Sequence, residues 1–139
     1  AVAQEKRRLI DVTKSVLDIA IREATPGRKW SQVATGMQKC AESAGFSVVT
    51  DFVGHGIGKE MHEEPRVPNF VNDDVLASDF VLQPGMVLAV EPMINAGTHA
   101  VRTLKNGWTV VTRDGRCSAH YEHTIAVTDS GCEVLTANA

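Results

Sequence analysis

The densest group of chemically capable side chains is the run GHGIGKEMHEEP, residues 54–65, in which His55 and His62 stand seven positions apart. Glycines at 54, 56 and 58 let the backbone bend tightly and leave the His55 imidazole open to a ligand. So much Gly and His on a loop points to a functional role for His55, and the same context extends that reading to His62. Glu91 follows the apolar run Val87-Leu88-Ala89-Val90 and directly precedes Pro92. A carboxylate there either turns to water at a strand end or is buried with a proton, a cation or a metal, because an unpaired buried charge is costly. Glu122 alternates with His120 and Thr124 on one face of a predicted strand, where it is either edge-exposed or paired with positive charge. One imidazole and two carboxylates on separate segments form an oxygen-rich set suited to manganese, iron, cobalt or zinc, without the thiolates of a structural zinc site. Sites with shared carboxylates commonly hold two ions, which polarise a carbonyl and generate hydroxide at neutral pH. Three ligands are too few for a pair of ions, so further donors are required.

Other chemistries find no support. There is no Gly-x-Ser-x-Gly and no phosphate-binding loop, and glycines spaced two and two are not a dinucleotide fingerprint. His99, His120 and His123, taken singly, read as structural or solvent-facing residues. Trp108 reads equally as core filler or as a pocket wall. Cys40, Cys117 and Cys132 are an odd count at wide spacing, which suits free thiols in a reducing, cytoplasmic setting. The 139 residues carry 14 Lys+Arg against 17 Asp+Glu, a net charge of −3 with no basic stripe, so nucleic acid is a poor partner. No apolar run approaches the roughly 20 residues of a membrane span, and AVAQEKRRLI lacks a signal-peptide layout. The length, with 43% hydrophobic residues, suits one globular domain over 1–139.

The elements that must position these side chains follow from periodicity. Leu9, Val12, Val16 and Ile19, widened by Ile10, Leu17 and Ile21, predict a helix over 3–24 that stops at Thr25-Pro26-Gly27. Ser31 is the expected N-cap of a second helix whose inner face carries Val33, Met37, Cys40, Ala41 and Ala44, with Gly45 as its stop. A strand is expected over 46–52, then a loop over 54–68 and a polar stretch over 69–79. Strands follow over 86–90, 108–112, 120–128 and 132–135. Two helices followed by mostly antiparallel strands predict an α+β fold.

The segments FVGHGIGKEMHEEPRVPNF, LQPGMVLAVEPMINAG, RTLKNGWTVVTRDG and SAHYEHTIAVTDSGCEVLT resemble type I methionine aminopeptidases, in order and nearly continuously from Gly27 to Thr136. The Gly-His-Gly-Ile-Gly and His-Glu-Glu-Pro elements are shared across the wider pita-bread group, which includes prolidases. The resemblance implies a pita-bread fold of which this chain is the second α/β half, with the first half supplying two aspartate ligands and a further histidine. It implies hydrolysis of the N-terminal methionine from nascent peptides with a small second residue, by a metal-bound hydroxide at a two-metal site. His55, Glu91 and Glu122 would be the metal ligands, with Glu122 bridging both ions and Glu91 relaying a proton to the departing amine. His62 would hydrogen-bond the substrate carbonyl or the tetrahedral intermediate, and Met61 and Trp108 would line the methionine pocket. Met61 stands where that family usually has an aromatic, and His120 where it often has Gln. A non-catalytic half-domain that binds a peptide or partner is the alternative expectation. An isolated half would expose the sheet face and edge its partner covers, and is expected to self-associate or to be poorly soluble.

Overall fold

The computed structural model describes residues 2–137. Helix α1 spans Gln4–Glu23 and α2 spans Trp30–Ser43, close to the expected limits. Leu9, Val16, Leu17 and Ala20 form the buried stripe of α1, joined by Thr13. Thr13 fits this stripe because its hydroxyl donates to the Leu9 carbonyl one turn back, at 2.7 Å, so no polar atom is stranded. Ile10 was expected on the same face but is 38% exposed, since one residue past Leu9 turns the side chain about 100° away from the stripe.

Helix α2 begins two residues earlier than expected. Lys29 occupies the N-cap, and Ser31 lies inside the first turn. The Ser31 amide and hydroxyl both donate to the Asp79 carboxylate, at 2.9 and 2.7 Å, and the Lys29 amide donates to the Gln32 side chain at 3.3 Å, so the helix start is satisfied both from 48 residues away and locally. Val33, Met37 and Ala41 are fully buried, as their spacing predicts. Trp30 anchors this end: its ring stacks on Phe80 with centroids 5.9 Å apart, and its indole N–H donates to the Pro68 carbonyl at 2.8 Å.

Among the described residues ten short strands follow: β1 Ser47–Val48, β2 Gly54–Gly56, β3 Glu63–Val67, β4 Val87–Val90, β5 Met93–Asn95, β6 Val101–Thr103, β7 Val110–Thr112, β8 Ser118–His120, β9 His123–Val127 and β10 Cys132–Val134. A short helix, α3 Asp73–Ala77, lies between β3 and β4 within the stretch read only as polar, capped by Asn72, whose side chain accepts from the Val75 amide at 2.9 Å. One sheet has the order β10-β9-β4-β2-β3, a second β1-β5-β8, and β6 pairs with β7. Every pairing is antiparallel, and the expected α+β class holds.

Three expectations about strands are corrected. Residues 54–68, expected to be a loop, hold the β2–β3 hairpin. The strand expected over 46–52 shrinks to Ser47–Val48, paired with Ile94 and Asn95. The strand expected over 120–128 is broken, with β8 in one sheet and β9 in the other. Its partner breaks at the same level: Val90 pairs with His123 and Met93 with His120, so Glu91-Pro92 lies opposite Tyr121-Glu122. Pro92 has no N–H to continue the ladder, and its carbonyl accepts from the Tyr121 amide at 3.4 Å across the joint. Both strands thus change sheets side by side.

The core lies between the two long helices and the sheets, with Leu9, Val16, Trp30, Met37, Leu88, Val90, Ile94 and Ile125 at 2% exposure or less. Cys40, Cys117 and Cys132 are free thiols. Among the described residues no helix is long and apolar enough to cross a membrane. Replacing Trp30 with Ala should cost about 3–5 kcal/mol in urea unfolding. Trp30→Phe keeps most of the packing but strands the Pro68 carbonyl, and should cost about 1–3 kcal/mol.

Candidate metal centre

The joint where the strands change sheets delivers two carboxylates to one place. Val87–Val90 is held in the middle of the five-stranded sheet by β2 on one side and β9 on the other. The chain then leaves the ladder, and Glu91 projects with its side chain 18% exposed. Asn69, fully buried, donates its side-chain amide to the Glu91 carbonyl at 3.4 Å and ties the joint to the chain following β3. Across the joint Glu122 occupies the matching gap between β8 and β9, more exposed to solvent. The expected mid-strand position of Glu122 is therefore corrected to a break between strands.

His55 reaches Glu91 from β2. Its Cα register is with Ala89, two residues before Glu91. The flanking glycines are required by crowding: a Cβ on Gly54 would lie 2.1 Å from the Ala89 carbonyl oxygen, and one on Gly56 2.3 Å from that of Glu64. Any side chain there would push β2 off its neighbours. His55 Nδ1 sits 2.9 Å from the Gly56 carbonyl. A carbonyl only accepts, so Nδ1 carries the proton and Nε2 faces Glu91 Oε1 at 3.5 Å. The ring of His62, from the turn between β2 and β3, lies against that of His55 with centroids 4.2 Å apart.

A second imidazole approaches the other oxygen of Glu91, with His120 Nε2 3.7 Å from Oε2. One donor atom each from Glu91, His120 and Glu122 lies within 4.8 Å of the others. Burial, followed by the neighbouring Glu122 charge, raises the Glu91 carboxyl above its ordinary pKa, and His55 opposes the rise. Two carboxylates forced together in a partly buried site, ringed by imidazoles and free of thiols, form a donor set that fits a divalent cation.

The structure thus brings His55, His62, Glu91 and Glu122 to one locus. They border a cleft of about 540 Å³ that Met61 and Thr124 also line. An apolar groove of about 430 Å³, walled by Phe52, Val53, Met93, Val101 and Val110, shares His55, His62 and Glu91 with it. Trp108 is not brought to either wall: it stands 88% exposed between β6 and β7. Met61 lines the cleft while 72% exposed. The residue missed from sequence is His120. Its signal was present, since alternation puts it on the same face as Glu122. His123 fits its structural reading, with Nδ1 2.9 Å from the Thr136 hydroxyl oxygen.

This fold and site define a metallopeptidase scaffold, and the chain belongs to metallopeptidase family M24, whose model matches residues 1–129. Members of that family use divalent metal. Among its relatives, the chain is 50% identical to the methionine aminopeptidase of Salmonella typhimurium over 129 residues, 93% of this chain and 48% of that protein. It is 43% identical to methionine aminopeptidase 1 of Bacillus subtilis over 135 residues, 97% of this chain and 53% of that protein. The crystal structure of the Thermotoga maritima methionine aminopeptidase superposes with a TM-score of 0.92 at 42% identity, covering 99% of this chain and 54% of that one. The Pyrococcus horikoshii prolidase, at 21% identity and a TM-score of 0.73 over 100% of this chain and 33% of its own, shares the fold alone. The fold is the pita-bread fold, and the chain spans about half the length of the curated relatives it matches.

Because β2 can approach β4 only without a Cβ at position 54, Gly54→Ala should move His55 off Glu91. The expected result is a stability loss of about 1–3 kcal/mol in urea unfolding, with Co2+ affinity lowered by roughly tenfold or more.

Proposed function

We propose that this chain is the second half of the catalytic domain of a methionine aminopeptidase, a protein that removes the N-terminal methionine from nascent peptides with a small second residue. His55, Glu91 and Glu122 would hold two divalent ions, of manganese, iron, cobalt or zinc, with two aspartates from the other half of the domain completing the set. When bound, such ions supply Lewis-acid polarisation of a peptide carbonyl and acidify water. The observation that carries this reading is the convergence of Glu91 and Glu122 at one joint, with the His55 Nε2 3.5 Å from Glu91.

The chain's own residues have distinct tasks. The apolar groove beside the cleft suits an unbranched thioether side chain, which leaves the scissile bond over His55, His62 and Glu91. Met61 lies at the cleft wall. His62 donates a hydrogen bond to the substrate carbonyl oxygen, where negative charge builds as the carbon becomes tetrahedral. Glu91 takes a proton from the attacking water and hands it to the departing amine nitrogen.

In the full-length protein, Glu122→Gln should lower metal occupancy and cleavage of a Met-Ala-Ser peptide together, each by roughly tenfold or more. His62→Ala should leave metal content intact and lower kcat by roughly 100-fold. An unchanged rate in Glu122→Gln removes that residue from the site. A full-length protein that holds metal and binds the peptide without cutting it supports a peptide-binding half-domain instead.

A further inference from the structure

We propose that His120 is itself a ligand of a divalent ion in this protein, completing a nitrogen–oxygen set with Glu91 and Glu122. The inference rests on the metal centre above and adds a donor that the resemblance does not assign, since the methionine enzymes often carry Gln at this position.

Three observations converge on it. The donor atoms of Glu91, His120 and Glu122 lie within 4.8 Å of one another. Metal–ligand bonds of roughly 2.0–2.2 Å put two donors of one ion about 3–4.4 Å apart, so small side-chain adjustments bring all three onto a shared cation. Second, the Glu91 carboxylate stands between two imidazoles, His55 at Oε1 and His120 at Oε2, 3.5 and 3.7 Å away. These distances exceed good hydrogen bonds. They leave both rings facing the carboxylate without closing on it, as donors around a cation do. Third, backbone pairing fixes where His120 starts. Its register with Met93 on β5 holds the Cα at the joint, and a 47% exposed side chain leaves the ring room to turn.

The chemical consequence is a second imidazole in a centre otherwise read with one. Each imidazole moves preference away from magnesium and calcium, which favour all-oxygen sets, toward cobalt, zinc and iron. With His55, Glu91, His120 and Glu122, this chain offers four donors before any other segment contributes.

The test uses the full-length protein and its His120→Gln variant. Gln has a similar reach and still offers an N–H toward Glu91 but is a poor ligand, so a merely structural role for His120 survives the change. Co2+ is titrated by its visible absorption, and nitrogen couplings to bound Mn2+ are counted by pulsed EPR. The expected outcome is Co2+ binding roughly tenfold or more weaker and the loss of one nitrogen coupling, with the circular dichroism unchanged. Unaltered affinity and couplings overturn the proposal. If Glu122→Gln weakens Co2+ binding while His120→Gln does not, His120 is no ligand and the metal centre stands. If neither substitution matters, the centre fails along with it.

Discussion

Two neighbouring antiparallel strands leave one sheet and enter another at the same level, and everything at the candidate centre depends on that joint. An uninterrupted ladder would have kept residues 91 and 122 in register as ordinary strand positions, their side chains set by the pleat. The break instead frees both carboxylates from the ladder and leaves them facing one region. Pro92, unable to donate to the ladder, makes the change of sheet permanent. The buried Asn69 amide fastens the backbone at the bend. Burial first and the neighbouring Glu122 charge second raise the Glu91 carboxyl, and this is the electrostatic cost of the arrangement, one that a cation would offset.

The second constraint is the closeness of β2 to its neighbours. His55 is useful only if its backbone lies tight against β4, and a carbonyl 2.1 Å from where a Cβ would be leaves glycine alone at position 54. The glycines around His55 are therefore about close approach rather than loop flexibility. This explains how a run with no β propensity forms a strand. Pairing with Val67, Arg66 and Ala89 supplies what the local sequence does not.

Much of this was legible in residue order, and the remainder was hidden for physical reasons. The helices announced themselves through a 3.6-residue period, and Leu9, Val16, Met37 and Ala41 are buried as that period requires. Glu91 was legible because a carboxylate between an apolar strand and a proline has few comfortable fates. Strands such as β5 and β6, three residues each, carry too little pattern to be read. The helix start at Trp30 was misjudged because its capping acceptor, Asp79, is far away in the chain. The division between β8 and β9 has no local mark, since the proline that enforces it sits on the partner strand. Taken singly, the His120 imidazole says little and reads as structural or solvent-facing. Its convergence with Glu91 and Glu122 at the joint gives it meaning.

The two tryptophans occupy opposite environments: Trp30 is 1% exposed and stacked, Trp108 is 88% exposed on a hairpin turn. The chain thereby carries its own pair of optical reporters. Trp30, buried against Phe80, follows the integrity of the packing. Trp108 emits from water and responds to whatever comes to rest on that hairpin, so folding and docking can be followed separately without attaching a dye.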